Sequence, residues 1–368
     1  MQPTDITGGT VVLQPWTESD VDAMVAGRQD PEVVRWTGGP HPYTREDAVR
    51  YITEETPRWW GEGSAATWAV RDATTGAVLG AVALHGISEG EAEIAYWTAP
   101  EARGRGTTAE AVAAVCRWGF GALELERIGW ACIVGNFGSR AVAQSIGFTM
   151  EGTTRRSYCQ RGTRVDDWVG SLLTTDPMTD TRPLPSRLEL TDGVVRLRRW
   201  RPDDAADVAR ACDDPLTAQW LPVPVPYTLE HGRSYVERTA HVWADGKAAE
   251  LAVTDALSGE LLGAMGLKLH QREQGFGELG YWTAPWARGR GVAARGARLQ
   301  SQWGLEVLGL SRVELLADVD NTASQRAAVK GGFTREGVLR QARSDRHGTP
   351  RDMVVLSRVR SDASGSAA

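Results

Sequence analysis

The sequence has no run approaching the roughly 18–20 consecutive apolar residues of a membrane-spanning helix, so no membrane role is expected. The opening Met1–Thr10 has neither a basic end nor an apolar stretch, and it does not read as a secretory signal. Cysteine is scarce. Cys116, Cys132, Cys159 and Cys212 lie far apart without C-x-x-C spacing, which suits reduced thiols in a cytoplasmic protein better than a disulfide framework or a zinc site. Six scattered histidines offer no paired ligand pattern, and no metal is expected. Lysine is nearly missing, with Lys247, Lys268 and Lys330 the only three among 41 basic residues. The net charge is −6. A phosphate-backbone binder usually carries a basic patch, so no nucleic-acid partner is expected.

What is present is an ordinary globular composition, 42% hydrophobic and 24% charged over 368 residues, enough chain for about two domains. Glu93–Thr108 reads EIAYWTAPEARGRGTT and Glu278–Ala293 reads ELGYWTAPWARGRGVA, identical at 11 of 16 positions. The same offset of 185 carries Asn136 to Asn321, Ser139 to Ser324, Gly147-Phe148 to Gly332-Phe333 and Asp167 to Asp352. Upstream the offset is 184, relating Trp16 to Trp200, Asp30-Pro31 to Asp214-Pro215 and Trp36 to Trp220. A period this long is a duplicated domain rather than a solenoid unit.

The expected division is 1–175, a proline-rich linker at 176–187, a second domain at 188–360 and a disordered tail at 361–368. The charge divides unevenly: residues 1–182 hold 16 basic and 24 acidic side chains, and the remainder 25 and 23. In each half a short strand (Val11–Trp16; Val195–Trp200) precedes two helices, the second opened by Thr44 and Asp47 in capping-box spacing, with Thr228 as counterpart. Strands then follow around Thr67–Asp72, Val78–Leu84 and Glu93–Thr98, and around Glu250–Asp255, Glu260–Lys268 and Glu278–Thr283. A glycine turn opens an apolar helix (Thr108–Phe120; Ala293–Leu305). A strand, a helix (Ser139–Ile146; Ser324–Lys330) and a strand pair complete the unit. The fold class is α+β with a mainly antiparallel sheet.

The turns Arg103-Gly104-Arg105-Gly106 and Arg288-Gly289-Arg290-Gly291 are the sharpest chemical signal. Glycine permits tight turning and close backbone approach, the helix start offers free N–H groups and a positive dipole end, and arginines add charge-assisted donors. Together these suit a diphosphate. The turn is neither a P-loop nor G-x-G-x-x-G. It matches R-x-x-G-x-A, as Arg288-Gly289-Arg290-Gly291-Val292-Ala293. With the EIAYW/ELGYW strand, the N-x-x-S blocks and the F-T-x-E-G segments at 148–152 and 333–337, the chain resembles two fused acetyltransferases of the GNAT superfamily, most like the ribosomal-protein N-terminal acetyltransferases.

That resemblance implies transfer of acetyl from acetyl-CoA to a primary amine: a protein or peptide N-terminus, or a small molecule. The cofactor would lie in a V-shaped gap between splayed strands. Its pyrophosphate would meet Arg103, Gly104, Arg105, Gly106 and Thr108, or Arg288, Gly289, Arg290, Gly291 and Ala293. Backbone groups around Trp97 and Trp282 would pair with the pantetheine arm, and Asn136 and Asn321 would hold its end. Ser139 and Ser324 would sit near the sulfur and protonate the thiolate, or else cap their helices; one hydroxyl can do both. Glu93 and Glu278 are the candidate bases, if each points inward with a raised pKa, the alternative being a solvent-facing or arginine-paired carboxylate. His85 and His270 each lie eight residues before these glutamates. Some members carry a tyrosine acid seven residues after the asparagine, or a glutamate five before it; here those positions are Ala143 and Ala328, and Ala131 and Leu316. Trp36 and Trp220 fall in a loop that borders the family's acceptor cleft, with Trp59, Trp60 and Trp243 as further candidates.

The lack of a strong base favours an α-amine, whose pKa near 7.7–8.0 lies below lysine's ~10.4. Thr108 stands where the turn pattern wants Gly or Ala, Arg295 stands against Glu110, and Lys330 against Ser145. On these grounds the C-terminal site is expected to be competent. The N-terminal half is expected to be active, a CoA-binding relic or a partner shaping the cleft, the alternative function being acyl-CoA binding without turnover. Either a monomer with a pseudo-dimeric domain pair or a homodimer fits.

Overall fold

The computed structural model describes residues 1–364. The chain divides into two compact units, Met1–Arg182 and Pro183–Ala368. The first contains β1 (Ile6–Thr7), β2 (Val11–Gln14), β3 (Ala65–Asp72), β4 (Val78–Ser88), β5 (Glu91–Thr98), β6 (Arg127–Ile133), β7 (Thr149–Gln160) and β8 (Thr163–Leu173). The second contains β9 (Glu189–Thr191), β10 (Val195–Arg199), β11 (Ala248–Asp255), β12 (Leu261–Gln271), β13 (Phe276–Thr283), β14 (Arg312–Asp318), β15 (Thr334–Ser344) and β16 (Pro350–Val359). Each unit is one eight-stranded sheet, ordered β1-β2-β3-β4-β5-β6-β8-β7 and β9-β10-β11-β12-β13-β14-β16-β15. This is α+β, two mainly antiparallel sheets flanked by helices.

One parallel pair interrupts each sheet. β5 meets β6 from Glu91–Arg127 to Ile94–Trp130, and β13 meets β14 from Phe276–Arg312 to Leu279–Leu315. Beyond these rungs the two strands no longer pair with each other, Ala95–Thr98 staying on β4 and Ala131–Ile133 on β8. A parallel pair needs a crossover, supplied by the helices Thr107–Ala122 and Val292–Glu306. Their small and apolar faces, such as Ala111, Val112, Val115 and Cys116 in the first, are buried against the sheet. The opposite sheet face receives the helix Val21–Gln29, whose Gly27 lies against the Trp97 ring so closely that a Cβ there would come within 2.3 Å. Among the described residues no helix is long and apolar enough to cross a membrane.

The capping box forms as Thr44 N–H to Asp47 Oδ2 at 3.0 Å and Asp47 N–H to Thr44 Oγ1 at 3.1 Å. The helix it starts is not uniform. A wide π turn spans Tyr51–Glu55 before Thr56–Glu62 continues, and Pro57, which has no N–H to extend the ladder, follows that turn. The second unit lacks the proline and runs straight through Leu229–Ala244. The segment at 176–187 is irregular but anchored: Thr181 Oγ1 donates to the Phe148 carbonyl at 2.8 Å, and Leu184 is buried in the second unit's core. Of the tail expected to be disordered, 361–364 belong to a short helix, Arg360–Ser364, and 365–368 lie outside the described residues.

The strands also realign the repeat. Gly80 faces Thr98 and Gly263 faces Thr283, so β4 maps onto β12 at an offset of 183 while β5 maps onto β13 at 185. The hairpin after β12 is two residues longer and carries the 3-10 turn Arg272–Gln274. Consequently His85 corresponds to Lys268, not to His270.

Candidate active site

The glycine turns stand at the edge of the splay. Gly104 and Gly106 have φ of +74° and +83°, Gly289 and Gly291 of +77° and +76°, left-handed values costly for other residues. Gly106 and Gly291 are the N-caps of the crossover helices, and no side chain caps the first-turn N–H groups there. A Cβ on Gly106, Gly289 or Gly291 would meet nothing within 4 Å, so the turn lies open to a diphosphate approaching uncapped amides.

The arginines have further partners. Arg103 pairs with Asp30 and donates to the Thr98 carbonyl at 3.3 Å; Arg288 pairs with Asp214 and donates to Thr217 Oγ1 at 3.0 Å. Asp30 and Asp214 in turn cap the short helices Pro31–Trp36 and Pro215–Trp220, accepting from Val33 N–H at 3.1 Å and Thr217 N–H at 2.8 Å. The Arg288 hydrogen bond is the main reason the Asp214 carboxyl falls to about 2. Each turn is thereby tied to the helix that carries Trp36 or Trp220. Arg290 lies 3.7 Å from Asp255 and stays half exposed, and the charge of Arg105 acts on Asp72.

Three differences between the halves acquire local explanations. The Thr108 hydroxyl bonds the Thr98 hydroxyl at 2.6 Å, turning back to the end of β5. Glu110 accepts from Thr10 N–H at 2.6 Å, and Arg295 donates to Asp192 at 2.5 Å; both tether the crossover helix to the first hairpin with opposite charges. Lys330 is exposed at the C-terminal end of Thr322–Lys330, the opposite end from Asn321, where a cation complements the helix dipole.

At the thioester end each asparagine is an N-cap. Asn136 Oδ1 accepts from Ser139 N–H at 3.1 Å and Asn321 Oδ1 from Ser324 N–H at 3.0 Å. Tyr96 and Tyr281, not anticipated from sequence, complete the cluster. Tyr96 OH donates to the Ser139 carbonyl at 2.8 Å and accepts from Ser139 Oγ at 3.1 Å, while Trp130 Nε1 donates to Ser139 Oγ at 3.1 Å. Tyr281 OH lies 3.0 Å from the Ser324 carbonyl and 3.1 Å from Ser324 Oγ. Burial pushes the Tyr96 phenol well above its ordinary range and Tyr281 upward, so both stay protonated. Their presence in both YWTAP strands was a usable signal. Burial also raises the Cys132 thiol to about 12, which removes it as a nucleophile near neutral pH.

The two glutamates sit differently. Glu93 lies half exposed, 3.6 Å from His85 Nε2. Glu278 is gripped by Lys268 Nζ at 2.7 Å and Arg343 at 2.7 Å. Burial alone would raise its carboxyl, but the Lys268 hydrogen bond and the charges of Lys268, Arg343 and His270 hold it below the usual range. The inward carboxylate with a raised pKa expected there is therefore not what Glu278 is: the longer hairpin has brought Lys268 opposite it. A carboxyl lowered by folding stabilises above its unfolded pKa and loses that contribution as pH falls through the folded value. Glu278→Gln is accordingly expected to be less stable than the parent at pH 7 in urea titrations, the deficit closing as the pH drops below the ordinary glutamate range.

Trp36 bonds Glu32 at 3.2 Å, stacks under Arg35 and packs against Gly135, beside Asn136. Trp220 ends the matching helix and is partly buried. Trp60 and Trp243 are core residues, 2% and 4% exposed, and Trp59 stacks edge-on with Tyr51. The rings of Trp97 and Trp282 are packed beneath the first helices, leaving only their strand backbone at the splay.

Each unit is thus an α+β sheet splayed at its parallel pair, with a glycine turn after one of the two strands and a serine–tyrosine cluster bridging from it to the helix that follows the other. The chain belongs to the acetyltransferase (GNAT) domain family, whose profile matches residues 10–149 and 195–334, and carries that domain twice. It is similar to the uncharacterized N-acetyltransferase YoaA of Bacillus subtilis, 28% identical over 165 residues, 44% of this chain and 93% of that protein. Similar solved structures include the ribosomal-protein-S5-alanine acetyltransferase of Vibrio fischeri (18% identity, 48% of this chain and 98% of that one, TM-score 0.43). Another is the microcin C7 self-immunity acetyltransferase MccE with acetyl-CoA and AMP (20% identity, 49% and 99%, TM-score 0.43). The family's activity is acetyl transfer from acetyl-CoA, and a further similar solved structure, RimJ of Mycobacterium smegmatis (22% identity, 49% of this chain and 90% of that one, TM-score 0.43), holds CoA-disulfide.

Proposed function

We propose that the chain is an N-acetyltransferase acting on a primary amine of the α-amine type, a peptide or protein N-terminus or a small molecule. The observation that carries this reading is the serine–tyrosine cluster beside the asparagine cap at the mouth of each splay. Acetyl-CoA supplies the activated acyl group as a thioester.

The chain's residues do the rest. The turn amides and glycines at 103–106 and 288–291 take the diphosphate, with Arg105 and Arg290 adding exposed charge and Arg103 and Arg288 bracing the neighbouring helix. The side-chain N–H groups of Asn136 and Asn321, whose oxygens are committed to capping, hold the pantetheine end. Ser139 and Ser324, oriented by Tyr96 and Tyr281, deliver a proton toward the departing sulfur. Trp36 and Trp220 flank the acceptor. Close positioning lowers the barrier further without a strong base.

The test is thiol release from acetyl-CoA with a panel of peptide α-amines and small amines. Ser139→Ala and Ser324→Ala are expected each to remove one half's share, and the double variant to fall ~10²–10⁴-fold in kcat with acetyl-CoA binding retained. A double variant of parental rate overturns the serine assignment.

A further inference from the structure

We propose that Asp167 takes the proton from the acceptor amine in the first half, a catalytic group with no counterpart in the second half. The inference rests on the transferase reading above.

Cross-strand partners point to the same sheet face. Along β6, Gly129 pairs with Glu93 on β5, Ala131 with Val169 and Ile133 with Asp167 on β8. Glu93 and Asp167 therefore overlook one lane in which β6 contributes only the small residues Gly129 and Ala131; the Arg127 guanidinium, paired with Glu91 and Glu151, lies against Gly129 at the Glu93 end. Ile133 leads directly into the Asn136 turn: Asn136 N–H donates to the Ile133 carbonyl at 3.0 Å, and Val134 N–H to the Asp166 carbonyl at 2.9 Å. The lane ends beside the thioester end of the cleft, next to Trp36.

Asp167 is 7% exposed. Its carboxylate accepts from Ser157 Oγ at 3.2 Å, and among the described residues it has no ion pair. The groups that act on it or that it acts on are Glu93 from β5, Cys132 on β6, Ser157 and Tyr158 from β7 and Asp166 on β8, and Arg28 and Arg161 act in turn on Tyr158. Burial, with the charges of Glu93 and Asp166, raises the Asp167 carboxyl above its usual range, the direction a base needs near neutral pH.

The second half differs at each point. Val319 N–H donates to the Asp352 carbonyl as Val134 does to Asp166, and Asp318 pairs with Met353 as Ile133 pairs with Asp167. The hairpin there is one residue longer, so Asp352 corresponds to Asp166, and Met353 occupies the Asp167 position. Asp166 and Asp352 perform one structural task, accepting from the N–H of Arg156 and of Gln341 at 2.8 Å, both at positive φ. The lane is filled by Glu314 and Leu316, and Asp318 is bound by Arg351 at 2.9 Å.

In the proposed step the ammonium proton passes to the Asp167 carboxylate. The nitrogen–acyl bond forms as the acyl–sulfur bond breaks, the nitrogen's second departing proton reaches the sulfur through Ser139, and Asp167 returns its proton to water.

The experiment is the pH profile of kcat/KM for thiol release with the amine panel, using the full chain in a Gly291→Val, Ser324→Ala background that silences the second half. Asp167→Asn is expected to lose ~10²–10⁴-fold in kcat while binding acetyl-CoA as the background does, and Asp167→Glu to recover part. The acid limb should move to higher pH in Ser157→Ala, which removes a hydrogen bond to the charged form, and to lower pH in Glu93→Gln, which removes a like charge. These opposite shifts also decide the matter should Asp167→Asn fail to fold. Unchanged limbs, or a background chain that binds acetyl-CoA without turnover, overturn the assignment alone. A parent chain that releases no thiol with any amine overturns the transferase reading and this assignment with it.

Discussion

Gly291→Val is expected to lower the acetyl-CoA bound per chain from two equivalents to one, Gly106→Val to do the same for the other half, and the double variant to bind none, as read by equilibrium dialysis. Two effects add. At φ +76° and +83° a β-branched residue pays a left-handed backbone cost of ~1–2 kcal/mol, which the turn can relieve only by swinging the N-cap out of place. The open space around the two glycines means that valine collides with nothing in the protein, so the loss falls on the ligand: the side chain fills the ground a diphosphate must cross to reach the amides. Alanine separates the two effects, since it keeps most of the strain and much less of the bulk. A chain with Gly291→Val that still binds two equivalents would show that the phosphates rest elsewhere.

The duplicated turn, the α+β class and the helix after each glycine pair were legible because they depend on local chemistry: positive φ, an uncapped helix start and alternating apolar strands. The cap at Thr44 was legible for the same reason, whereas the caps expected of Ser139 and Ser324 fall instead to Asn136 and Asn321, three residues earlier. Pairings across the sheet were not. His85 and His270 share a spacing from their glutamates, yet the register sets Lys268 where His85 stands, because a hairpin gained two residues. Asp167 and Asp352 share an offset, yet one extra residue in the last hairpin moves the alignment by one and turns a carboxylate into Met353. In a strand such a slip exchanges the two faces, so counting along the chain cannot supply it. The expectation of a competent C-terminal site leaned on Ala293 and Lys330. Lys330 lies at the end of its helix away from Asn321, and of the two cations that bond Glu278, Arg343 comes from a strand distant in sequence.

Trp68→Ala is expected to be the most damaging single change in the first unit, at ~3–5 kcal/mol for a fully buried tryptophan. Trp68 is 0% exposed and forms edge-on contacts with Trp60 at 5.2 Å and Trp118 at 5.1 Å. Its indole N–H donates to the Thr4 carbonyl at 2.7 Å, so truncation also leaves the chain before β1 without its anchor. The cavity would open on β3, two strands from β5, which leads into the site, and the other tryptophans are too large and too constrained to collapse into it. Hydrogen exchange supplies the measurement: protection of the 65–72 amides should fall roughly 10²–10⁴-fold, the same free energy expressed as an opening equilibrium. The 248–255 amides serve as the internal reference, since Leu251 there belongs to a separate core. Trp68→Leu, which places in β3 the residue type that β11 uses, should recover more of the protection than Trp68→Ala. Equal protection in the alanine variant and the parent would mean that the three-tryptophan cluster does not hold the first sheet together.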